Sequence, residues 1–201
     1  MENSILEAKE YFYNKEYKQA LELFLKKDKF YEAGLCFLLC KDIKNARFCF
    51  EKEKKNLFAA SWGLKILDYI KMEIKKYPSY LQVRAFYEIY LNLFIENDLI
   101  DYAQNLINIY PSLMRSNPEI CKFIARALSA TNYDELALNF TQRATQNSFF
   151  DPEAFFIASE IYVKKQEYSN ALDEIKKILD IMPKYYPALK LKEQILEKIN
   201  Q

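Results

Sequence analysis

The residues of this chain that could take part in catalysis or in binding a ligand include four cysteines, two glycines and 28 carboxylates, and there is no histidine. The absence of imidazole excludes Ser-His-Asp triads, the common zinc protease motifs and histidine-ligated metals. Neither Gly34 nor Gly63 belongs to a phosphate-cradling loop, so the usual nucleotide-binding motifs are absent as well. Most carboxylates alternate with lysines, which favours a solvated surface over a catalytic acid pair. The sequence therefore predicts a protein that is not an enzyme.

The cysteines are the only candidates for binding a soft metal. Cys36 and Cys40 are one helical turn apart, and Cys49 could lie on the next helix. Three thiolates could hold such an ion, but the sequence offers no fourth ligand and cysteine is commonly buried as a small apolar residue. We therefore expect no metal and no cofactor. With Cys121, the cysteines show no disulfide-framework spacing, which favours a reducing compartment.

The spacing of three alanines predicts the helices that must position any functional residue. Ala103, Ala137 and Ala171 are 34 residues apart, and each lies near the start of an apolar helical pattern. A fixed period of this length is typical of stacked helix pairs. The chain has only two glycines and six prolines, which agrees with helices joined by short loops.

The clearest repeat unit is the segment 151–183. Asp151 is expected to cap a helix whose first residue is Pro152, where the missing amide donor costs nothing. Spacings of three and four residues then place an apolar stripe on each of two successive helices. The stripe residues are Phe155, Ala158 and Tyr162 on the first helix, and Ala171, Ile175 and Ile178 on the second.

This unit resembles the tetratricopeptide repeat. Ala171 fits the position where two helices cross closely, Tyr162 and Tyr168 fit the large packing positions, and Pro183 fits the terminating proline. The unit departs from the family where Ala158-Ser159 replaces a leucine–glycine pair. Further copies centre on Ala20, Ala46, Ala103 and Ala137, so the resemblance covers most of the chain.

The resemblance implies an all-α fold, a right-handed α-α superhelix of about five helix pairs and about twelve helices. One stretch is too long, because Ala46 and Ala103 are separated by more than one period. We assign the excess to a long junction helix from about Asn56 to Lys76; a degenerate repeat with one lengthened helix is the alternative. Pro111 is expected to close the third repeat early. The predicted domains are 1–55, a two-repeat stack with a shortened second repeat; 56–78, the junction helix; and 79–201, three repeats and a capping helix.

In this family the first helix of each pair lines a concave groove in which partner peptides lie. The resemblance therefore implies a non-catalytic scaffold or adaptor that binds a peptide or helix of another protein. The alternative is a chaperone-like or regulatory subunit that shields an apolar partner surface, including that of a second copy in a homodimer. Carried over residue by residue, the groove positions are Phe12, Tyr31, Leu35, Leu38, Glu88, Asn92, Lys122, Arg126, Phe156 and Glu160.

Charge and hydropathy narrow the kind of partner. The net charge of +1 does not favour nucleic acid. No apolar run reaches the roughly 18 to 20 residues needed to span a membrane, and the first residues show no signal-peptide pattern, so we expect a cytoplasmic location. Residues 1–80 carry 16 basic and 12 acidic side chains. We therefore predict that the N-terminal part of the groove is the most adhesive, and that it binds a segment with apolar anchors and nearby acids.

Overall fold

The computed structural model describes residues 3–114, 117–147 and 150–200. Within these ranges the chain forms twelve helices and no strand, which confirms the predicted all-α class. Helix α6 runs as three consecutive segments, Tyr80–Ala85, a π-helical turn at Phe86–Tyr90, and Leu91–Glu96. The other helices are α1 Asn3–Tyr13, α2 Tyr17–Lys26, α3 Phe30–Leu39, α4 Ile43–Glu53, α5 Phe58–Tyr69, α7 Ile100–Leu113, α8 Ile120–Ala130, α9 Asp134–Asn147, α10 Pro152–Lys164, α11 Tyr168–Ile181 and α12 Tyr186–Ile199.

The same turn joins the two helices of every pair. One residue of each turn has a positive φ, between 56° and 67°, although none of these residues is glycine. The amide of the next residue then donates to the carbonyl five residues back, as Tyr133 does to Leu128 at 2.8 Å. This is the Schellman arrangement, which satisfies carbonyls at the end of a helix. The left-handed residues are Lys15, Lys41, Asp98, Asn132 and Gln166, and the last three are 34 residues apart.

The predicted helix crossings are confirmed by burial. All five repeat alanines are at most 4% exposed, as expected where a small side chain lets two helices approach closely. Asp151 caps α10 as predicted, because its Oδ1 accepts hydrogen bonds from the amides of Glu153 and Ala154 at 3.1 and 3.2 Å. The buried alanines are Ala20, Ala46, Ala103, Ala137 and Ala171.

The helices group into two compact units. The first unit contains the described residues up to Pro78 together with Leu93–Ile109. The second contains Ser79–Asn92 and the described residues from Tyr110 onwards. Helices α6 and α7 therefore each contribute residues to both units. The domain division at residues 55 and 78 stays a prediction.

The predicted junction helix is shorter than expected. Helix α5 ends at Tyr69 instead of near Lys76. The reason is Met72, whose φ of 60° is left-handed and incompatible with a continuing right-handed helix. The amides of Met72 and Glu73 turn back to the carbonyls of Tyr69 and Asp68, at 2.8 and 3.0 Å. Another copy of the helix-ending turn thus replaces the last two turns of the expected helix.

Pro111 does not end its helix, contrary to the sequence prediction. It lies inside α7, which continues to Leu113. A proline removes one backbone donor and crowds the preceding turn, but here only the last turn of the helix is affected.

Both glycines of the chain pack against one aromatic ring in the first unit. Gly34 on α3 and Gly63 on α5 approach the ring of Phe50 on α4, which is completely buried. A Cβ atom added at Gly34 would lie 2.5 Å from this ring, and one added at Gly63 would lie 2.8 Å from it. Carbon atoms pack at about 3.5 to 4.0 Å. The glycines are therefore required by close packing of three helices.

Candidate partner-binding surfaces

A small pocket opens in the first unit beside α1 and α3, the first helices of their pairs. Its volume is about 150 Å³ and its surface is mainly apolar. Phe12 and Leu35 are half-buried in it, whereas Tyr13 is 80% exposed. We call it the N-terminal pocket; its lining residues are Lys9, Phe12, Tyr13, Phe24, Glu32 and Leu35.

The pocket rests on a fully packed layer. Phe12 contacts Tyr17 edge to face, with ring centroids 5.4 Å apart, and packs against a buried apolar cluster that includes Ala8, Ala20 and Phe24. A side chain supported in this way loses little conformational freedom when a ligand binds. The pocket can therefore offer a rigid aromatic wall to an apolar group.

The structure brings together only some of the predicted N-terminal groove residues. Phe12 and Leu35 share the pocket, but Tyr31 is not part of its lining; its ring contacts Phe50 at a centroid distance of 5.9 Å. Leu38 is completely buried. The prediction that Leu38 lines an open groove needs correction, because its side chain points into the helix-packing core.

In the second unit the predicted groove positions form a network of charges. Lys122 on α8 is only 4% exposed. Its Nζ lies 2.8 Å from Glu153, 3.0 Å from Asp151 and 3.3 Å from Glu119. Burial alone would lower the pKa of Lys122, but hydrogen bonds to Glu153 and Asp151 outweigh it and raise the pKa above its usual value. Lys122 therefore stays charged at neutral pH.

Arg126 extends this network to a third helix. Its guanidinium contacts Glu153 on α10 and lies 3.1 Å from Glu88 on α6, which in turn pairs with Arg84 at 2.6 Å. Burial alone would raise the pKa of Glu153, but the hydrogen bond from Lys122 and the attraction of Lys122 and Arg126 lower it. We call this set the charge network; its members are Arg84, Glu88, Glu119, Lys122, Arg126, Asp151 and Glu153.

The charge network corrects the sequence prediction for Lys122. Both Lys122 and Arg126 were expected to line the partner-binding groove, but Lys122 is buried, and carboxylates of the same chain surround both side chains. Arg126 is only partly buried, so its place in the groove stays a prediction. Sequence reasoning identified Asp151 as a helix cap and missed its ion pair with Lys122. No short-range spacing signals this pair, because the two residues lie on different helix pairs.

The remaining predicted groove residues have different surroundings. Asn92 has a buried Oδ1 without a hydrogen-bond donor in reach among the described residues. It follows the π-helical turn, which inserts an extra residue into the helical register and which the regular spacing did not predict. Phe156 packs edge to face on Tyr185, at 6.2 Å between centroids. Glu160 is exposed, yet the protein around it desolvates its carboxyl and raises its pKa.

The four cysteines differ in burial. Cys36, Cys49 and Cys121 are buried and Cys40 is exposed. Burial raises the pKa of Cys36 to about 12, so its thiol stays protonated at neutral pH. In the described part of the chain, no group of three or more histidine, cysteine or acidic residues could hold a metal ion. No described helix combines the length and the apolar character that crossing a membrane requires.

Within the described ranges, five helix pairs with buried alanines and a repeated left-handed turn give the chain a fold of the tetratricopeptide-repeat type. No protein-family model matches the chain, and no curated protein matches it. Three solved structures are similar in fold. The TPR domain of P58(IPK) has 18% identity and a TM-score of 0.42, over 99% of this chain and 65% of that one.

The other two structures are similar over nearly their whole length. YrrB, described as a TPR protein with an unusual peptide-binding site, has 19% identity and a TM-score of 0.40, covering 94% of this chain and 90% of its own. TTC0263, a TPR protein of Thermus thermophilus, has 15% identity and a TM-score of 0.38, covering 100% of this chain and 99% of its own.

Proposed function

We propose that this chain is a non-catalytic adaptor that holds an apolar side chain of another protein's peptide or helix in the N-terminal pocket. The observation that carries the proposal is the pairing of Phe12 and Leu35 around an open apolar cavity on a packed support. Its volume of about 150 Å³ suits one large side chain of a partner segment. Aromatic residues in such pockets are typical anchors of protein interfaces.

The structure changes the expected role of charge at this site. The rim of the pocket carries one residue of each sign, Lys9 and Glu32. The basic surplus of residues 1–80 falls from four to one within the first unit, because Leu93–Ile109 adds Glu96, Asp98 and Asp101 and no basic residue. We therefore propose that the partner segment needs an apolar anchor residue but no acidic residues near it.

The alternative function, shielding an apolar partner surface, requires a contiguous exposed apolar patch of several hundred Å². The N-terminal pocket is a concave site for a single group, which favours the adaptor. Short peptides separate the two functions, because they fill a pocket but cannot replace a folded partner surface.

The test is selection of linear peptides from a random display library against the full chain, followed by calorimetric titration of the recovered peptides. We expect Tyr13→Ala and Leu35→Ala to weaken binding by about tenfold, as for central interface residues. Tyr186→Ala removes another exposed tyrosine, 72% exposed and in the second unit, and serves as the matched control.

The proposal fails if the recovered peptides bind Tyr13→Ala and Leu35→Ala as tightly as the parent protein. Thermal unfolding of each variant distinguishes lost binding from lost structure. Tyr13 is the cleaner of the two sites, because its exposed ring contributes little to the packing of α1.

A further inference from the structure

A larger pocket lies in the second unit beside α9, α10 and α11, and none of the predicted groove residues lines it. Its volume is about 440 Å³. The half-buried rings of Phe155 and Tyr162 on α10 and the half-buried side chain of Leu138 on α9 form its apolar wall. We call it the α9–α11 pocket; its rim carries the polar residues Asn139, Gln142 and Thr145.

The charged side chains at this pocket are already paired within the chain. Glu174 lies 2.7 Å from Lys177, and Glu135 forms an ion pair with Lys165. Lys177 also lies over the ring of Phe155, with its Nζ 5.5 Å from the ring centroid. A charged ligand would therefore have to displace an existing ion pair, whereas a neutral ligand would not.

One period of 34 residues earlier, the chain has a cluster of two aromatic rings and a cation. Phe140 is only 3% exposed, and Tyr110 contacts it edge to face at 5.4 Å between ring centroids. The guanidinium of Arg143 lies over the Phe140 ring, 5.2 Å from its centroid. It also donates a hydrogen bond of 2.5 Å to the Tyr110 hydroxyl. The preceding repeat thus buries a ring of its own at this place.

The repeat that contains the α9–α11 pocket keeps the cation of this cluster and loses both rings. At the equivalent positions the arginine is replaced by Lys177, the phenylalanine by Glu174 and the tyrosine by Ala144. The wall is also smaller at one point, because Ala158 takes the place of Ile124. The space that the preceding repeat fills with its own side chains is therefore open here.

We propose that the α9–α11 pocket binds a tyrosine side chain of a partner protein, which takes the place of the lost rings. The ligand ring contacts Phe155 and Tyr162, since aromatic side chains favour edge-to-face and offset contacts with one another. Its hydroxyl reaches the polar rim, as a buried tyrosine hydroxyl usually finds a hydrogen-bond partner. The uncharged side chain leaves both ion pairs of the pocket intact. The proposal does not rest on the function assigned to the N-terminal pocket.

The test titrates the full chain with p-cresol, which reproduces the tyrosine side chain, and with its saturated analogue 4-methylcyclohexanol. Methyl NMR signals of Leu138 and Thr145 report occupancy of the pocket. We expect p-cresol to shift both signals saturably. The saturated analogue should bind about threefold to tenfold more weakly, which is the range that an aromatic contact adds to affinity. Intermolecular NOEs from the p-cresol ring to these methyl groups locate the ligand in the unmodified chain.

Two variants at one position distinguish a filled pocket from a changed charge. Glu174→Phe restores the ring that the preceding repeat has at this place, so it should abolish the p-cresol shifts and raise the midpoint of thermal unfolding. Glu174→Gln removes the charge and leaves the pocket open, so it should bind p-cresol like the parent protein. Glu197→Phe, at an exposed position of α12, is the control for an added aromatic side chain and should leave binding unchanged.

Equal binding of the two probes, or parent-like binding of p-cresol by Glu174→Phe, overturns the proposal. Should Glu174→Phe fail to fold, the NOEs in the parent protein decide, and their absence between the p-cresol ring and Leu138 contradicts the proposal. Methyl signals of Leu35 report the N-terminal pocket separately. Tyr13→Ala should leave the p-cresol shifts of Leu138 unchanged, so failure of the adaptor proposal and failure of this one are distinguishable.

Discussion

The two units use the same helix-pair design, and the contact that joins three helices is apolar in one unit and ionic in the other. In the first unit, Phe50 is wedged between Gly34 and Gly63, so three helices meet around one buried ring. In the second, Lys122 and Arg126 join three helices through carboxylates. The helix-pair repeat is therefore the same in both units, whereas these contacts between helices differ.

This difference also decides what each unit can offer to a partner. Apolar packing in the first unit leaves an apolar pocket at its surface. Ion pairing in the second surrounds Lys122 and Arg126 with carboxylates of the same chain. The four predictions below test this contrast between the apolar contact in the first unit and the ion pairs in the second. They are given in order of the expected effect on the free energy of unfolding, from the largest to the smallest.

The largest effect is expected for Lys122→Ala. Removing this buried cation leaves Asp151 without its ion-pair partner and Glu153 with Arg126 alone, which should lower the free energy of unfolding by about 3 kcal/mol. Urea unfolding at pH 7 measures this loss. Lys198→Ala, at an exposed position of α12, is the control. A parent-like midpoint for Lys122→Ala would mean that ion pairs do not hold the second unit together.

Gly34→Ala should be the most damaging conservative change in the first unit. Alanine favours a helix over glycine by about 1 kcal/mol, but its Cβ would lie 2.5 Å from the Phe50 ring. Such overpacking costs about 1 to 3 kcal/mol, so the expected net loss of stability is up to about 2 kcal/mol. Combining Gly34→Ala with Phe50→Leu should be less destabilising than the sum of the single changes; simple additivity would contradict the proposed contact.

The pH dependence of stability should differ between the two kinds of contact. Glu153 has a lowered pKa in the folded state, so its stabilisation is present above its unfolded pKa near 4.5 and is lost as pH falls through the lower folded value. At pH 7, Glu153→Gln should cost about 1 kcal/mol, a figure reduced for its exposure.

This cost should shrink towards zero on acidification, whereas the cost of Gly34→Ala should not change. Chemical unfolding between pH 7 and pH 3 compares the two variants. A constant cost for Glu153→Gln over this range would show that its charge is not what matters.

The smallest effect is expected at the turns that both units share. Asn132→Gly and Gln166→Gly should each raise the free energy of unfolding by roughly 0.5 kcal/mol, because a left-handed backbone is easier for glycine than for other residues. Lys192→Gly, at an exposed position inside α12, should instead lower the free energy of unfolding. Destabilisation by both turn variants would show that their side chains make contacts that outweigh the backbone term.

Local and periodic features of the fold could be predicted from the sequence. The 34-residue spacing of Ala103, Ala137 and Ala171 predicts the helix pairs, and Asp151-Pro152 predicts the start of α10. The end of α5 was not predictable. Its left-handed residue is Met72, whereas the left-handed residue that ends a helix is usually glycine or asparagine.

The candidate site was harder to predict because it depends on long-range contacts. Leu35 and Leu38 look equivalent in the sequence, yet one lines a pocket and the other is buried. From the sequence, Lys122 could be expected to contact a partner, because no neighbouring residue in the chain indicates its ion pairs with Asp151 and Glu153. Periodicity gives the helix face of a residue but not the charge that faces it from another repeat.

The sharing of α6 and α7 between the units has a consequence for dividing the chain. Leu93–Ile109 belongs with the residues before Pro78, while Ser79–Asn92 belongs with the residues after Tyr110. No single cut of the polypeptide therefore releases either unit whole. A fragment ending at Pro78 lacks two of its own helical segments, and one starting at Ser79 carries those segments without the surface that they cover. Limited proteolysis should accordingly yield fragments that remain associated after cleavage in the turn between α6 and α7.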